Sequence, residues 1–331
     1  MSEADHEQNT AIPLNDRTRH PNLWFEDGNI ILATKFSVFL VHRGLLSWSS
    51  PVFADMLSMP QPDIMETTLD GLPGIPVVEL SDDDEQFTHL LRFCYNARYY
   101  QQYMPTTFEI ISALLRMSTK YQMDGLRSEI IAHLGVIYPV TIEKYVETGK
   151  PDTQLSLFPP FEGQHFAVSN LARETGALVL LPAALWKASC EPEHNISRGS
   201  VSGDGKKHQL DPLDVRKCLA IKLEYYSIYV KTSFTIPFRT PSLCVRSGRE
   251  KCSKVALVLL GAHFAQTGPC DILLHWDSFD CWSNEVCAAC MEVAASLFLQ
   301  TRKYLWSCLP GRLDLPGWHI VASNDSQIPQ A

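Results

Sequence analysis

The sequence predicts an α+β chain, with its strands gathered near the front and helices making up the rest. Three observations carry this. Strand-length apolar runs between turn signals occur at Ile30–Leu32, Phe36–Val41 and Val77–Leu80. From His42 onward the apolar positions recur mostly at helical spacing. Beyond about residue 146 only helix-like stretches and a polar loop can be read.

The elements follow in order. Residues 1–19 are polar and without periodicity, and are expected to be a disordered lead-in. Strand-like sequence begins near Trp24, and Asp27-Gly28-Asn29 is a turn signal. In the run that follows, Val38 and Leu40 share one face while Phe39 and Val41 take the other, so this strand should be covered on both sides. A helix is expected from His42 to Trp48, and Ser50-Pro51 opens a second with Val52, Phe53, Met56 and Leu57 at helical spacing. Residues 61–76 are rich in turn formers and read as an exposed loop. After the strand at Val77–Leu80, Ser81 is the expected cap of a helix whose acidic start, Asp82-Asp83-Asp84, suits the positive end of the helix dipole. Phe87, Leu90, Leu91 and Cys94 form its stripe. Thr106 and Glu109 have capping-box spacing ahead of a helix that buries Phe108, Ile111, Leu114, Leu115 and Tyr121. Asp124-Gly125 should break it, and a last helix runs through Leu126, Ile130, Leu134 and Ile137.

In that order the motifs resemble the BTB (POZ) domain, most closely the large fungal group of BTB proteins. His42 with Arg43, then Leu46, Ser50 and Phe53, fits the family's His-x3-Leu-x3-Ser-x2-Phe pattern. Val77–Leu80 fits the strand before the acidic helix, Leu90-Leu91-Arg92-Phe93-Cys94-Tyr95 fits Leu-Leu-x-Phe-x-Tyr, and Lys120-Tyr121 with Leu126-Arg127 fits the closing helix pair. Asn96-Ala97 stands where the family usually has Thr-Gly. The resemblance implies a short mixed sheet covered by helices over residues 20–145, pairing with itself or another BTB protein largely through the N-terminal helices. It also implies adaptor or scaffold work, in many members as a substrate adaptor of Cullin-3 ubiquitin ligases. Ile64-Met65-Glu66 has the hydrophobic-x-Glu form of the Cullin-binding loop, which makes Ile64 and Glu66 the candidate contacts.

Residues 146–331 are expected to be a mainly helical, cysteine-containing region. Phe166–Thr175 and Leu178–Ala188 form a helix pair broken at Gly176, with a flexible loop near 194–209. Helices follow at Pro212–Val230 and Lys254–Phe264. Ser283 should cap a long helix with Val286, Cys290, Val293, Leu297, Thr301, Tyr304 and Cys308 aligned, stopped by Pro310-Gly311.

Function classes narrow from here. The chain of 331 residues carries a formal net charge of −9, which argues against a general nucleic-acid binder. A polar, acidic start without an apolar stretch behind it predicts an intracellular protein, cytoplasmic or nuclear, with its ten cysteines reduced. No nucleophile elbow, zinc-protease motif or dinucleotide fingerprint is present, and no enzyme is predicted. Gly199–Lys207 fails as a phosphate loop, having the wrong spacing and no Ser or Thr after its lysine. His42 reads as a packing histidine.

No cofactor is predicted beyond a structural zinc, with Cys244-x7-Cys252 and Cys287-x2-Cys290 as the paired thiolates such a site needs. Cys270 and Cys281 are substitutes for one pair, and packing of reduced thiols on a helix is the simpler reading. Arg246, Arg249, Lys251 and Lys254 make a basic cluster nearby, read as a solvated loop. The alternative function is therefore a transcription-associated regulator with a zinc-stabilised C-terminal region.

Overall fold

The computed structural model describes residues 12–59, 69, 72, 74–96, 98–149, 157–235, 244, 249–266, 271–274 and 285–324. The chain divides into two compact units, Met1–Ile130 and Ile131–Ala331.

The first unit runs β1 (Thr18–Trp24), β2 (Ile30–Ala33), β3 (Ser37–Val41), α1 (Arg43–Ser49), α2 (Pro51–Ser58), β4 (Val77–Glu79), α3 (Asp84–Tyr95), α4 (Phe108–Lys120) and most of α5 (Asp124–Gly135). Its sheet has the order β1-β3-β2-β4. β2 and β3 are antiparallel, while β1 lies parallel to β3 and β4 parallel to β2, which makes the sheet mixed. Every residue of β2 and all but the first of β3 are buried, as apolar side chains on both faces require of central strands.

Four local expectations need correction. The lead-in does not extend to Arg19: Leu14–Asp16 form a short 3-10 turn, and β1 pairs Thr18 with Ser37 and Arg19 with Val38. β1 is an edge strand, mostly exposed, so it needs no apolar alternation and tolerates Pro21. The cap of α3 is Asp83, whose side chain accepts from the amides of Glu85 and Gln86. For α4 the cap is Thr107, one residue past the expected Thr106. The break between α4 and α5 sits at Tyr121–Met123, with Gln122 at φ +51°, and Asp124-Gly125 opens α5 instead.

The second unit holds the end of α5, then α6 (Ile142–Thr148), α7 (Gln164–Glu174), α8 (Leu181–Ser189), α9 (Glu193–Arg198), β5 (Ser200–Val201), β6 (Lys207–His208), α10 (Pro212–Thr235), α11 (Arg249–Gln266), α12 (Ala288–Arg312) and α13 (Trp318–Asn324). It is mainly helical. The α7–α8 break falls at Gly176, whose φ of +68° suits a residue without a Cβ. All of α8 except Lys187 is buried, which makes it the central helix of this unit.

Residues 194–209 are not a flexible loop. α9 covers the start, and β5 and β6 form a small antiparallel hairpin. Asp204 fastens its turn by accepting from the Ser202 hydroxyl and the Lys206 amide. At Gly199, φ is +80° and a Cβ would meet the His208 carbonyl oxygen at 2.5 Å.

α12 also departs from expectation. Its buried line is Cys290, Ala294, Phe298, Arg302, Leu305 and Leu309, while Tyr304 is exposed. Arg302 lies on the inward face, and an apolar count steers away from it. Ser283 lies outside the described residues. The helix passes through Pro310 to Arg312. Proline cannot donate to the carbonyl four residues back, and the Trp318 indole supplies that bond to the Trp306 oxygen at 2.8 Å. Among the described residues no helix is long and apolar enough to cross a membrane.

Two histidines, His133 buried and His165 half-buried, give the second unit a pH dependence. Burial holds His133 down at about 4. Burial and the Lys187 charge hold His165, whose Nδ1 lies 3.0 Å from the Tyr138 hydroxyl, at about 3. Unfolded, both rings titrate near ~6.5. Below that pH the unfolded chain takes up protons that the folded chain refuses, so stability drops as pH falls toward the folded values. The expected slope is roughly 1.4 kcal/mol per pH unit for each histidine. Urea midpoints at pH 7 and 5 check this: His165→Gln should remove about half of the slope, and an unchanged slope would contradict it.

Candidate interaction surface and cysteine cluster

The BTB-like motif residues converge on two tight structural joints. At the first, the Tyr95 hydroxyl on α3 accepts from the His42 amide at 2.8 Å and lies 3.0 Å from His42 Nδ1. His42 Nε2 lies 3.2 Å from Asp27 Oδ1, an arrangement that fits a ring carrying its proton on Nε2. Phe25 stacks on Tyr95 with centroids 4.5 Å apart. Burial pushes the Tyr95 hydroxyl above its ordinary pKa. The Arg43 amide donates to Asn29 Oδ1 at 2.8 Å, and its guanidinium donates to the Leu57 carbonyl. His42 thus ties the start of α1 to α3.

The second joint seats α2. Ser50 caps that helix by accepting from the Phe53 amide at 3.1 Å, and it donates to the Tyr121 carbonyl at 2.6 Å. Phe53 stacks on the Tyr121 ring at 4.2 Å and 8°. The Tyr121 hydroxyl donates to the buried Asp82, which also receives Lys120 at 2.6 Å. Burial, and next the Asp82 carboxylate, drive the Tyr121 hydroxyl well above its ordinary range. Leu46 is fully buried between these joints.

The acidic run is structural at each position. Asp82 holds Lys120 and Tyr121, Asp83 caps α3, and Asp84 accepts from the Thr34 hydroxyl at 2.8 Å and the Phe36 amide at 3.1 Å.

What faces outward differs. Trp48 on α1 is 90% exposed, and Met59, just past α2, is 64% exposed. β1 occupies one edge of the sheet and β4 the other. Ile64 and Glu66, the candidate Cullin contacts, lie outside the described residues.

In the second unit, Cys244, Cys252, Cys287 and Cys290 come together, their sulfurs all within 4.8 Å of one another. Cys244 Sγ lies 3.7 Å from both Cys252 Sγ and Cys287 Sγ. Cys252 sits in the first turns of α11, Cys287 is the N-cap of α12, and Cys290 is in that helix's first turn. The last three are buried. Burial, then the neighbouring Cys287 and Cys244 thiols, raise the Cys290 thiol far above its ordinary pKa. Of the other candidates, Cys270, Cys281 and Arg246 lie outside the described residues, and Arg249, Lys251 and Lys254 belong to α11.

Two polar joints escaped the sequence reading. Arg173 on α7 grips the buried Asp214 on α10 through two bonds of 2.5 and 2.6 Å. Asp271 accepts from the Tyr145 hydroxyl and, at 3.1 Å, from the Trp186 indole. The partners stand 41 residues apart in the first case and 126 and 85 in the second, too far for any local pattern to link them.

A family model described as the BTB/POZ domain matches residues 26–135. The comparison with curated proteins finds no match.

Proposed function

We propose that this chain, which carries a BTB/POZ domain over residues 26–135, works as a dimerising adaptor or scaffold. The domain is a protein–protein interaction module, and that match is the observation on which the proposal rests. The first unit pairs with a second copy or with another BTB chain, and residues 146–331 hold a client.

The surface of the first unit supports this. Trp48 keeps nine-tenths of its area in water, and tryptophans are enriched among the residues that dominate binding energy. An edge strand also presents unpaired amides and carbonyls for pairing.

Light scattering on the full chain tests the pairing. A dimer mass is expected at micromolar concentration. Trp48→Glu should weaken it by about 2 kcal/mol or more, roughly 30-fold, with the far-UV spectrum unchanged. A wild-type monomer at high micromolar concentration would overturn self-pairing and leave a heterodimer with a sister BTB chain.

The finer role is Cullin-3 adaptor, supported by the Ile64-Met65-Glu66 sequence. Affinity purification of the tagged chain should recover Cullin-3, and Glu66→Lys should lose it. Recovery of BTB chains alone would leave the scaffold and remove the ligase. The second reading, a transcription-associated regulator, is favoured by the four cysteines meeting in the C-terminal unit and opposed by the net charge of −9. Salt-dependent binding of duplex DNA by the full chain decides it: binding that weakens steeply with salt supports the regulator, and its absence closes that reading.

A further inference from the structure

We infer that Cys244, Cys252, Cys287 and Cys290 bind one zinc ion as a closed, structural four-thiolate site. The geometry comes first. Zinc–sulfur bonds of about 2.3 Å in a tetrahedron place the sulfurs ~3.8 Å apart along each edge. Two edges of this cluster measure 3.7 Å, and no pair exceeds 4.8 Å. A disulfide would bring two of these atoms to ~2.05 Å, far inside the observed separations.

Placement is the second argument. The four thiols come from three separate places: residue 244, the first turns of α11, and the start of α12. Thiols buried only for packing have no reason to point at one another, because sulfur gains as much from any apolar neighbour. Here two helices instead direct their N-terminal ends at the same point. Each end carries a partial positive charge and favours a thiolate. Loading replaces four S–H bonds by four Zn–S bonds and releases four protons to solvent, leaving the centre with a net charge of −2. Two helix N-termini are suited to that charge.

The chemistry selects the ion and its role. Four soft sulfur ligands in a tetrahedron suit zinc, and iron is the competing occupant. All four positions are filled by protein, so no site remains for water or substrate, and the ion acts by holding the chain. It joins the starts of α11 and α12 to residue 244, so the second unit's last long helices are fixed at one end by metal.

Metal analysis of the desalted full chain tests this directly. About one zinc per chain is expected, with a roughly tenfold or greater loss in Cys287→Ser/Cys290→Ser. Cys308→Ser, on α12 outside the cluster, should keep its metal. A strong chelator should lower the melting temperature of wild type and leave that of the double variant unchanged. Should the double variant fail to fold, the cobalt(II)-substituted wild type decides: intense tetrahedral thiolate bands support the site, and their absence overturns it. A folded wild type that carries no zinc and takes up none, iron in its place, or a disulfide within the cluster found by mass spectrometry would each overturn the inference.

Discussion

Phe53→Ala should destabilise the first unit by about 3–5 kcal/mol, a large part of what holds a domain of this size folded. The ring is 1% exposed, stacks on Tyr121 and lies within 6.4 Å of the Phe87 ring centre, with Phe87 itself fully buried. Removing it takes away the apolar transfer energy and leaves a cavity that cannot close easily. Tyr121 is held from the other side by Asp82, and Ser50 is bound to the Tyr121 carbonyl, so the walls are fixed. The stacked pair adds about 0.5–1.5 kcal/mol beyond area, measurable as the coupling in a Phe53→Leu/Tyr121→Leu cycle. Urea unfolding followed by near-ultraviolet dichroism is the measurement. A loss under ~1 kcal/mol would mean that α2 is seated by something other than this ring.

The second large effect is expected in the other unit. Arg173→Ala should cost about 3 kcal/mol, at the lower end of the range for breaking a buried ion pair. Asp214 keeps 1% of its side chain exposed and loses both of its charge-assisted bonds. The Arg173 side chain is 35% exposed, so water enters the vacated space and limits the penalty. Replacing both partners, as Arg173→Met/Asp214→Leu, should recover most of the loss because no charge is then stranded. If the double variant is as unstable as the single one, the pair does more than neutralise Asp214.

The parts of the fold that could be read from sequence are those whose signals are local. β2 and β3 announce themselves by apolar side chains on both faces, and α2 by Ser50-Pro51 ahead of Phe53. β1 was hidden because an edge strand needs little apolar sequence. The cap of α3 was misplaced because Ser81, Asp82, Asp83 and Asp84 compete for it. Distant partners settle the contest: Lys120 and Tyr121 claim Asp82, and Thr34 and Phe36 claim Asp84. The phase of α12 is off by one residue from Ala294 onward: Val293, Leu297 and Thr301 are expected inside, and Ala294, Phe298 and the charged Arg302 are the buried ones. The cysteine quartet was legible as two short spacings, though nothing local separates Cys244 and Cys252 from Cys270 and Cys281 as the second pair. The Arg173–Asp214 joint had no spacing to betray it.

The seating of α2 also sets an order of events during synthesis. Phe53 and Ser50 leave the ribosome before Tyr121, the residue that supplies both the stacked ring and the accepting carbonyl. At roughly 5–20 residues per second, the 68 residues added after Phe53, up to and including Tyr121, take about 3–14 seconds to make. During that interval the strands of the sheet can pair, but the aromatic slot beneath α2 is open and apolar. A nascent chain in that condition is a target for chaperones and for neighbouring copies on the same messenger. Translation slowed between residues 58 and 108 would lengthen that exposure, and faster passage would shorten it.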